Sequence, residues 1–322
     1  MGKMGGLAVL NLEGIYTRYE DYDSILEEIS QATPEVATEL IQKLYTKPIK
    51  EDLIAKCVEK IKKSGAICSV SSIPQKAERY GKIAQEAGAD VFVVQSTVTT
   101  VKHIAKAYKV VDFSEFCKKV MKIPVIIGNC VTYKVTMELM DAGASGILVG
   151  IGPGAACTSR GVLGIGVPQV TATCDTAAAR DAHFKKTGKY VPIITDGGMT
   201  TGGDICKAFA CGADAVMVGS AFARCEEAPG KGFHWGMATP HANLPRGTRI
   251  RVGTTGTLQE VLFGPARLDD GTQNLVGALK TSMGNIGAQN IREFQETEII
   301  IAPAIRTEGK VFQSAQKVGM GK

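Results

Sequence analysis

The 322-residue chain is poor in aromatic residues: Phe, Trp and Tyr together make up 6%, and there is one tryptophan. A core drawn from such a composition is aliphatic. No apolar run approaches the ~18–20 residues of a membrane-spanning helix. The longest, such as 91–94 and 146–150, are strand-sized. No signal peptide is recognisable at the start of the chain. The nine cysteines are odd in number and form no C-x-x-C pair. Dispersed thiols in a chain with an ample core read as reduced cysteines in a cytoplasm. Net charge is also small, +5 from 37 basic and 32 acidic residues. Lysines cluster only briefly (Lys60, Lys62 and Lys63; Lys118, Lys119 and Lys122) among apolar positions. That is the pattern of solvated helix faces and not of a nucleic-acid surface. The mild positive excess suits an anionic substrate.

Glycine, by contrast, is abundant at 37 residues. It follows no fixed period, which excludes a collagen-like fibre, and 44% apolar residues exclude a disordered chain. Seven short runs rich in Val and Ile read as buried strands, at 7–12, 66–71, 90–96, 124–131, 146–152, 191–198 and 215–221. Helical patterns lie between them at 54–64, 75–87, 113–120, 134–142, 174–187 and 203–211. Apolar strands alternating with helices describe parallel strands buried on both faces. One phrase recurs between helix and strand: Ala87-Gly88-Ala89-Asp90, Ala142-Gly143-Ala144-Ser145 and Cys211-Gly212-Ala213-Asp214. Its glycine suits a helix C′ position, where positive φ is cheap. Three copies point to a repeated β/α unit and so to an α/β fold of the (β/α)8 barrel type. Such barrels build their active site at the C-terminal ends of the strands. The segment 225–256 reads as a long flap or binding loop. Short elements are predicted at 249–252, 258–264 and 275–284, and the tail at 305–322 is polar. No composition break divides the chain, so the reading is one barrel domain over 1–322.

Three successive strand ends carry chemistry. Gly150-Ile151-Gly152-Pro153-Gly154-Ala155-Ala156-Cys157-Thr158-Ser159 follows a buried strand directly. Its glycines free the backbone to aim N–H or C=O groups inward. Cys157 then stands where a ligand would bind, and oriented N–H groups can activate a thiol as a covalent nucleophile. A cysteine after a glycine turn is by itself more often a buried free thiol; the glycine loop and the hydroxyls of Thr158 and Ser159 favour the nucleophile. Asp196-Gly197-Gly198-Met199 ends the next strand, and Gly219-Ser220 the one after. Glycine-rich ends of late barrel strands form the usual barrel phosphate site. The N–H groups of Gly198, Gly219 and Ser220, with the Ser220 hydroxyl, can hold a phosphate, and Asp196 can accept from ribose hydroxyls.

The stretch 150–169 reads G-I-G-P-G-A-A-C-T-S-R-G-V-L-G-I-G-V-P-Q, and 196–220 reads D-G-G-M-T-T-G-G-D-I-C-K-A-F-A-C-G-A-D-A-V-M-V-G-S. With Gly128-Asn129-Cys130-Val131-Thr132, Trp235-Gly236-Met237 and Ser282-Met283-Gly284, these resemble the IMP dehydrogenase/GMP reductase family. The resemblance is greatest to its short IMP-dehydrogenase-related branch from actinobacteria and cyanobacteria. It implies that Cys157 attacks C2 of a purine mononucleotide to form a covalent intermediate. A nicotinamide cofactor, NADPH or NADH, then exchanges a hydride with that carbon. It further implies that Asp196 binds ribose, that Gly198, Gly219 and Ser220 bind the 5′-phosphate beside Gly197, and that Gly236 and Met237 contact the base. Gln95 and Asn129 lie near the nicotinamide, and carbonyls of Gly152, Gly154 and Cys157 resemble a potassium site. Relatives are homotetramers. In their frame this chain starts before the second strand, so the expected fold is a (β/α)8 TIM barrel lacking its first strand.

Dehydrogenases of the family carry an inserted CBS regulatory domain, which nothing here encodes. They activate water with an Arg-Tyr pair on a flap. Between Met237 and Gly247 this chain reads Ala-Thr-Pro-His-Ala-Asn-Leu-Pro-Arg. Thr158-Ser159 resembles the reductase pair, with Ser159 helping to protonate the departing amine. The reading is therefore GMP reductase, with IMP dehydrogenase, a nucleotide-binding regulatory pseudo-enzyme and an FMN-dependent barrel oxidoreductase as alternatives. The chain departs from the family pattern at Ala155, where a serine usually touches phosphate, and at Gln95, where relatives carry Asp. Arg246 stands in place of the reductase glutamate, with His241, Glu226 or Glu227 as candidate replacements. Cys130 and Cys157, on successive strand ends, are a candidate inhibitory disulfide.

Overall fold

Seven parallel strands form one sheet whose spatial order is their chain order: β1 (Val9–Asn11), β2 (Ser69–Ser72), β3 (Val91–Gln95), β4 (Val125–Cys130), β5 (Gly146–Val149), β6 (Ile193–Asp196) and β7 (Ala215–Met217). A computed structural model describes residues 1–238, 240–241, 247–300, 313 and 315–317. Arg246 and nearly all of the polar tail lie outside the described residues. Each strand falls on one of the seven predicted runs. β1 and β7 are half-exposed edges, while β2 and β5 are buried throughout. Among the described residues no strand pairs with the outer side of either edge, so the barrel lacks one strand.

The sheet is curled. Gln95 at the end of β3 hydrogen-bonds Asp196 at the end of β6 over 3.1 Å. Three strand spacings in a flat sheet would separate them by about 14 Å. The outer face packs Phe92, Val94, Ile127, Ile147 and Ile193 against Ile54, Val58, Ala77 and Leu139 of the surrounding helices, all fully buried. Those helices are α3 (Glu51–Lys63), α4 (Pro74–Glu86), α5 (Phe113–Glu115, continued by a π turn over Phe116–Val120), α6 (Tyr133–Ala142), α8 (Gln169–Thr187) and α9 (Gly202–Ala210). The short α7 (Ser159–Leu163) and α10 (Ser220–Ala223) start at the cavity described below.

The recurring phrase performs one job three times. Gly88, Gly143 and Gly212 take φ of +99°, +109° and +100°, which ends each helix in the left-handed region. The fourth residue then caps the preceding strand. Asp90 accepts from Cys68 N (2.7 Å), Ser145 from Val125 N (3.4 Å) and Asp214 from Ile193 N (2.8 Å).

Two features depart from the sequence reading. Two helices precede α3, namely α1 (Tyr22–Gln31) and α2 (Pro34–Leu44). Their apolar faces form a separate small core with Ile15, Leu26, Ile29 and Ile41. Two helices in succession break the strand–helix alternation on which the reading relied. The 225–256 segment is also more than a loop. Cys225 bridges Gly256, and between them β8 (Phe233–Trp235) pairs antiparallel with β9 (Arg249–Arg251). Of the two strands, β9 coincides with the short element predicted at 249–252, whereas the three residues of β8 show too little alternation to be recognised. This hairpin docks on the missed helices. Trp235 Nε1 donates to Tyr45 (2.8 Å), and Arg249 donates to Ala32 O (2.6 Å) and stacks over Phe233 at 4.0 Å. Beyond it lie α11 (Leu258–Phe263), α12 (Leu275–Asn285) and α13 (Ile291–Phe294). Among the described residues no helix is long and apolar enough to cross a membrane.

Candidate active site

The C-terminal ends of β3 to β7 open into one cavity of about 450 Å³. The first wall is the loop after β5. Gly150 leaves that strand with φ +142°, and a Cβ there would lie 2.2 Å from Asp196 O, so the position requires glycine. Gln169 at the head of α8 donates to Val149 O (2.6 Å) and Asp196 O (3.2 Å), tying the ends of β5 and β6 together. Arg160 holds the base of the loop through Ile151 O and Val167 O. The Cys157 N–H donates to Gly154 O over 3.0 Å, closing the turn that presents the side chain. Cys157 is exposed, and its Sγ lies 3.1 Å from Oγ of the buried Ser159.

The second wall is Asp196. Asn129 Nδ2 and Gln95 Nε2 both donate to its Oδ2, at 2.8 and 3.1 Å. Burial raises the carboxyl above its usual pKa, and the two amide donors oppose that rise. The third wall is a cluster of backbone donors. The N–H groups of Gly198, Gly219 and Ser220 make no hydrogen bond among the described residues, and all three line the cavity. Ser220 Oγ lies 3.2 Å from His234 Nε2 on β8, and burial draws His234 below its usual pKa. Unpaired N–H groups with a hydroxyl and an imidazole make an anion cradle. The hairpin brings Gly236 against Ala156 O, opposite the cysteine loop.

The model of the IMP dehydrogenase / GMP reductase domain matches residues 30–311. The chain belongs to the IMP dehydrogenase/GMP reductase family. As a member of this oxidoreductase family it is 37% identical over 311 residues to an uncharacterised oxidoreductase of Mycobacterium leprae, covering 94% of this chain and 83% of that one. It is also 37% identical over 229 residues to the inosine-5′-monophosphate dehydrogenase of Aquifex aeolicus, covering 66% of this chain and 44% of the relative. The crystal structure of an IMP dehydrogenase/GMP reductase-like protein from Corynebacterium glutamicum superposes with a TM-score of 0.86 at 35% identity, covering 94% of this chain and 80% of that one. The Mycobacterium and Corynebacterium relatives agree with the actinobacterial short branch.

For this family member, the residues singled out in the sequence converge. Gln95, Asn129, Gly152, Gly154, Cys157, Thr158, Ser159, Asp196, Gly197, Gly198, Gly219, Ser220, Gly236 and Met237 all line the one cavity. The candidate replacements for the reductase glutamate do not line it. Glu227 instead accepts from Leu258 N (2.8 Å) at the head of α11, and His241 is exposed. The Cys130–Cys157 disulfide does not fit the path of β4. The register of β4 against β5 slips between Gly128 and Cys130, and this bulge lets Asn129 reach Asp196 in the cavity while Cys130 stays buried on the outer face against Thr136 of α6. Sequence reasoning missed His234, although it stands two residues before Gly236. A lone histidine in a long loop carries no spacing signal; only the hairpin brings it to Ser220.

Proposed function

We propose that the protein reduces GMP to IMP and ammonia, using NADPH or NADH and a covalent bond between Cys157 and C2 of the purine. The observation that carries this reading is the Cys157–Ser159 pair: a thiol exposed at the cavity with a hydroxyl 3.1 Å away. The Met237–Gly247 segment offers no Arg-Tyr pair to activate water, which supports loss of an amine over hydrolysis.

The anion cradle binds the 5′-phosphate, and Asp196 accepts from the ribose. As its thiolate attacks C2, Cys157 passes its proton into the Ser159 hydroxyl, which relays its own proton toward N2 and stays neutral throughout. The C2–N2 bond breaks, and the amine leaves as ammonia with the proton that Ser159 relays. When bound, the reduced nicotinamide supplies the hydride that takes the nitrogen's place at C2. Cleavage of the Sγ–C2 bond releases IMP, and the thiolate takes up one proton from water to restore the thiol. Ser96 and Thr97, which line the cavity beside Gln95, offer hydroxyls that suit a carboxamide. Carbonyls of Gly152, Gly154 and Cys157 suit a potassium ion; Gly154 O already accepts one N–H and would use its second lone pair. A single barrel domain, a homotetramer and a cytoplasmic location complete the proposal.

The test is GMP with NADPH or NADH, followed near ~340 nm where reduced nicotinamides absorb. Cofactor oxidation that requires GMP, with equimolar ammonia, is expected. Identity to a named IMP dehydrogenase favours the second reading, oxidation of IMP. Reduction of NAD⁺ that requires IMP would establish it in place of the first. GMP binding without either reaction would identify a regulatory pseudo-enzyme.

A further inference from the structure

Gln95 reads from the resemblance as a cofactor contact, yet its amide is committed to the substrate wall. Its Nε2 donates to Asp196 Oδ2 at 3.1 Å and packs 3.8 Å from Met217 Sδ. Asn129, 5% exposed, donates to the same oxygen from β4 at 2.8 Å. Both amides therefore hold one carboxylate oxygen. The other, Oδ1, accepts nothing among the described residues and is not sealed off from the cavity. A free aspartate rotates about its terminal bond and presents either oxygen. Two donors converging on Oδ2 from two different strands remove that freedom.

We propose that Gln95 is a positioning residue for Asp196, which clamps Oδ2 together with Asn129 so that Oδ1 stands ready to accept a sugar hydroxyl of the nucleotide. This rests on the reading of Asp196 as the ribose-binding group. It assigns Gln95 to selection of the intact ribose diol and not to the nicotinamide. The residue type fits the task. An amide donates to Asp196 at every pH, whereas a carboxylate at position 95 would face a second buried carboxylate, and two such groups do not both ionise at ordinary pH.

The experiment measures binding of GMP and of 2′,3′-dideoxy-GMP by calorimetry, with the steady-state KM for the nicotinamide cofactor alongside. Wild-type protein is expected to prefer GMP by about tenfold or more, the worth of a hydrogen bond to a charged acceptor. Gln95→Met, of similar size, loses most of that preference while dideoxy-GMP binding and the cofactor KM change less than about twofold. Gln95→Glu supplies a readout that a merely structural role would not move. At low pH its protonated carboxyl can donate to Asp196 and preserve the preference; as pH rises and the pair loses that proton, the preference falls relative to wild type. Equal weakening of both nucleotides, a rise in cofactor KM alone, or an unchanged preference in Gln95→Met would overturn the assignment. A Gln95→Glu preference that tracks wild type at every pH would do the same. If wild-type protein binds GMP but does not prefer it to the dideoxy analogue, the ribose reading of Asp196 fails. If it binds neither nucleotide, the whole site reading fails, and the assignment of Gln95 falls with it.

Discussion

The two chemical walls of the cavity are held in opposite ways. Asp196 ends a buried strand and is fixed by side chains from two others, Gln95 of β3 and Asn129 of β4. Cys157 sits in an exposed glycine-rich loop, fixed by its own backbone turn and by a single hydroxyl two residues on. A group that must bind the same atoms at every turnover gains from rigid, converging supports. A nucleophile that must form and then break a bond needs solvent access and room to move. Gln169 and Gly150 are the joint between the two walls, because both touch Asp196 O while belonging to the loop's own frame.

That contrast can be broken at several points. The largest effect is expected for Cys157→Ala, with turnover falling at least about 10³-fold while GMP affinity stays within about threefold. Single-turnover assays and calorimetry on the same preparation measure both; retained turnover would remove Cys157 from the chemistry. Gly150→Ala attacks the joint. Its left-handed φ and the 2.2 Å approach to Asp196 O predict a loss of about 3 kcal/mol in urea denaturation, with both walls disturbed together.

Asp196→Asn separates binding from stability. Affinity for GMP is expected to fall about tenfold, as a charged acceptor becomes neutral. Stability at pH 7 is expected to rise. Burial holds the Asp196 pKa above the ordinary 3.8, so the folded protein binds that proton more tightly than the unfolded chain. Wild-type stability therefore declines as pH rises from 3.8 through the raised value, and the asparagine variant escapes this decline. Thermal unfolding from pH 4 to 8 should show the two curves diverging with increasing pH.

A smaller effect concerns His234. Half-buried and drawn below its usual pKa, it is biased toward the neutral form in the free cradle, and a phosphate dianion beside it favours the protonated form. GMP affinity should weaken as pH rises through 6 to 8, and His234→Gln should flatten the profile after correction for phosphate ionisation. Finally, the cysteines themselves differ. Burial pushes the Cys130 thiol up to about 11, whereas Cys157 is exposed. Iodoacetamide at pH 8 should label Cys157 well before Cys130, as peptide mass spectrometry would show.

Much of the frame is legible in the sequence because it is periodic. Seven Val- and Ile-rich runs recur with helices between them, and a Gly-Ala phrase repeats at three helix-to-strand junctions. Gly150 to Ser159 and Asp196 to Gly198 were legible because glycine-rich strand ends have few uses. What stayed hidden was not periodic. Helices α1 and α2 interrupt the alternation, β8 is too short to show one, and Cys130 reads as a neighbour of Cys157 until the bulge in β4 is known.

The chain alone thus determines its parallel β/α architecture and which strand ends carry a thiol, an acid and a cluster of backbone donors, since local patterns of apolar and glycine residues set these. Which side chains meet was decided only by the tertiary structure. The curl of the sheet brings Gln95 across three strands to Asp196, a bulge in β4 places Asn129 at the cavity and Cys130 on the outer face, and a hairpin seated on two helices lets His234 reach Ser220. Contacts between residues a hundred positions apart depend on how whole elements pack, and no local pattern records that.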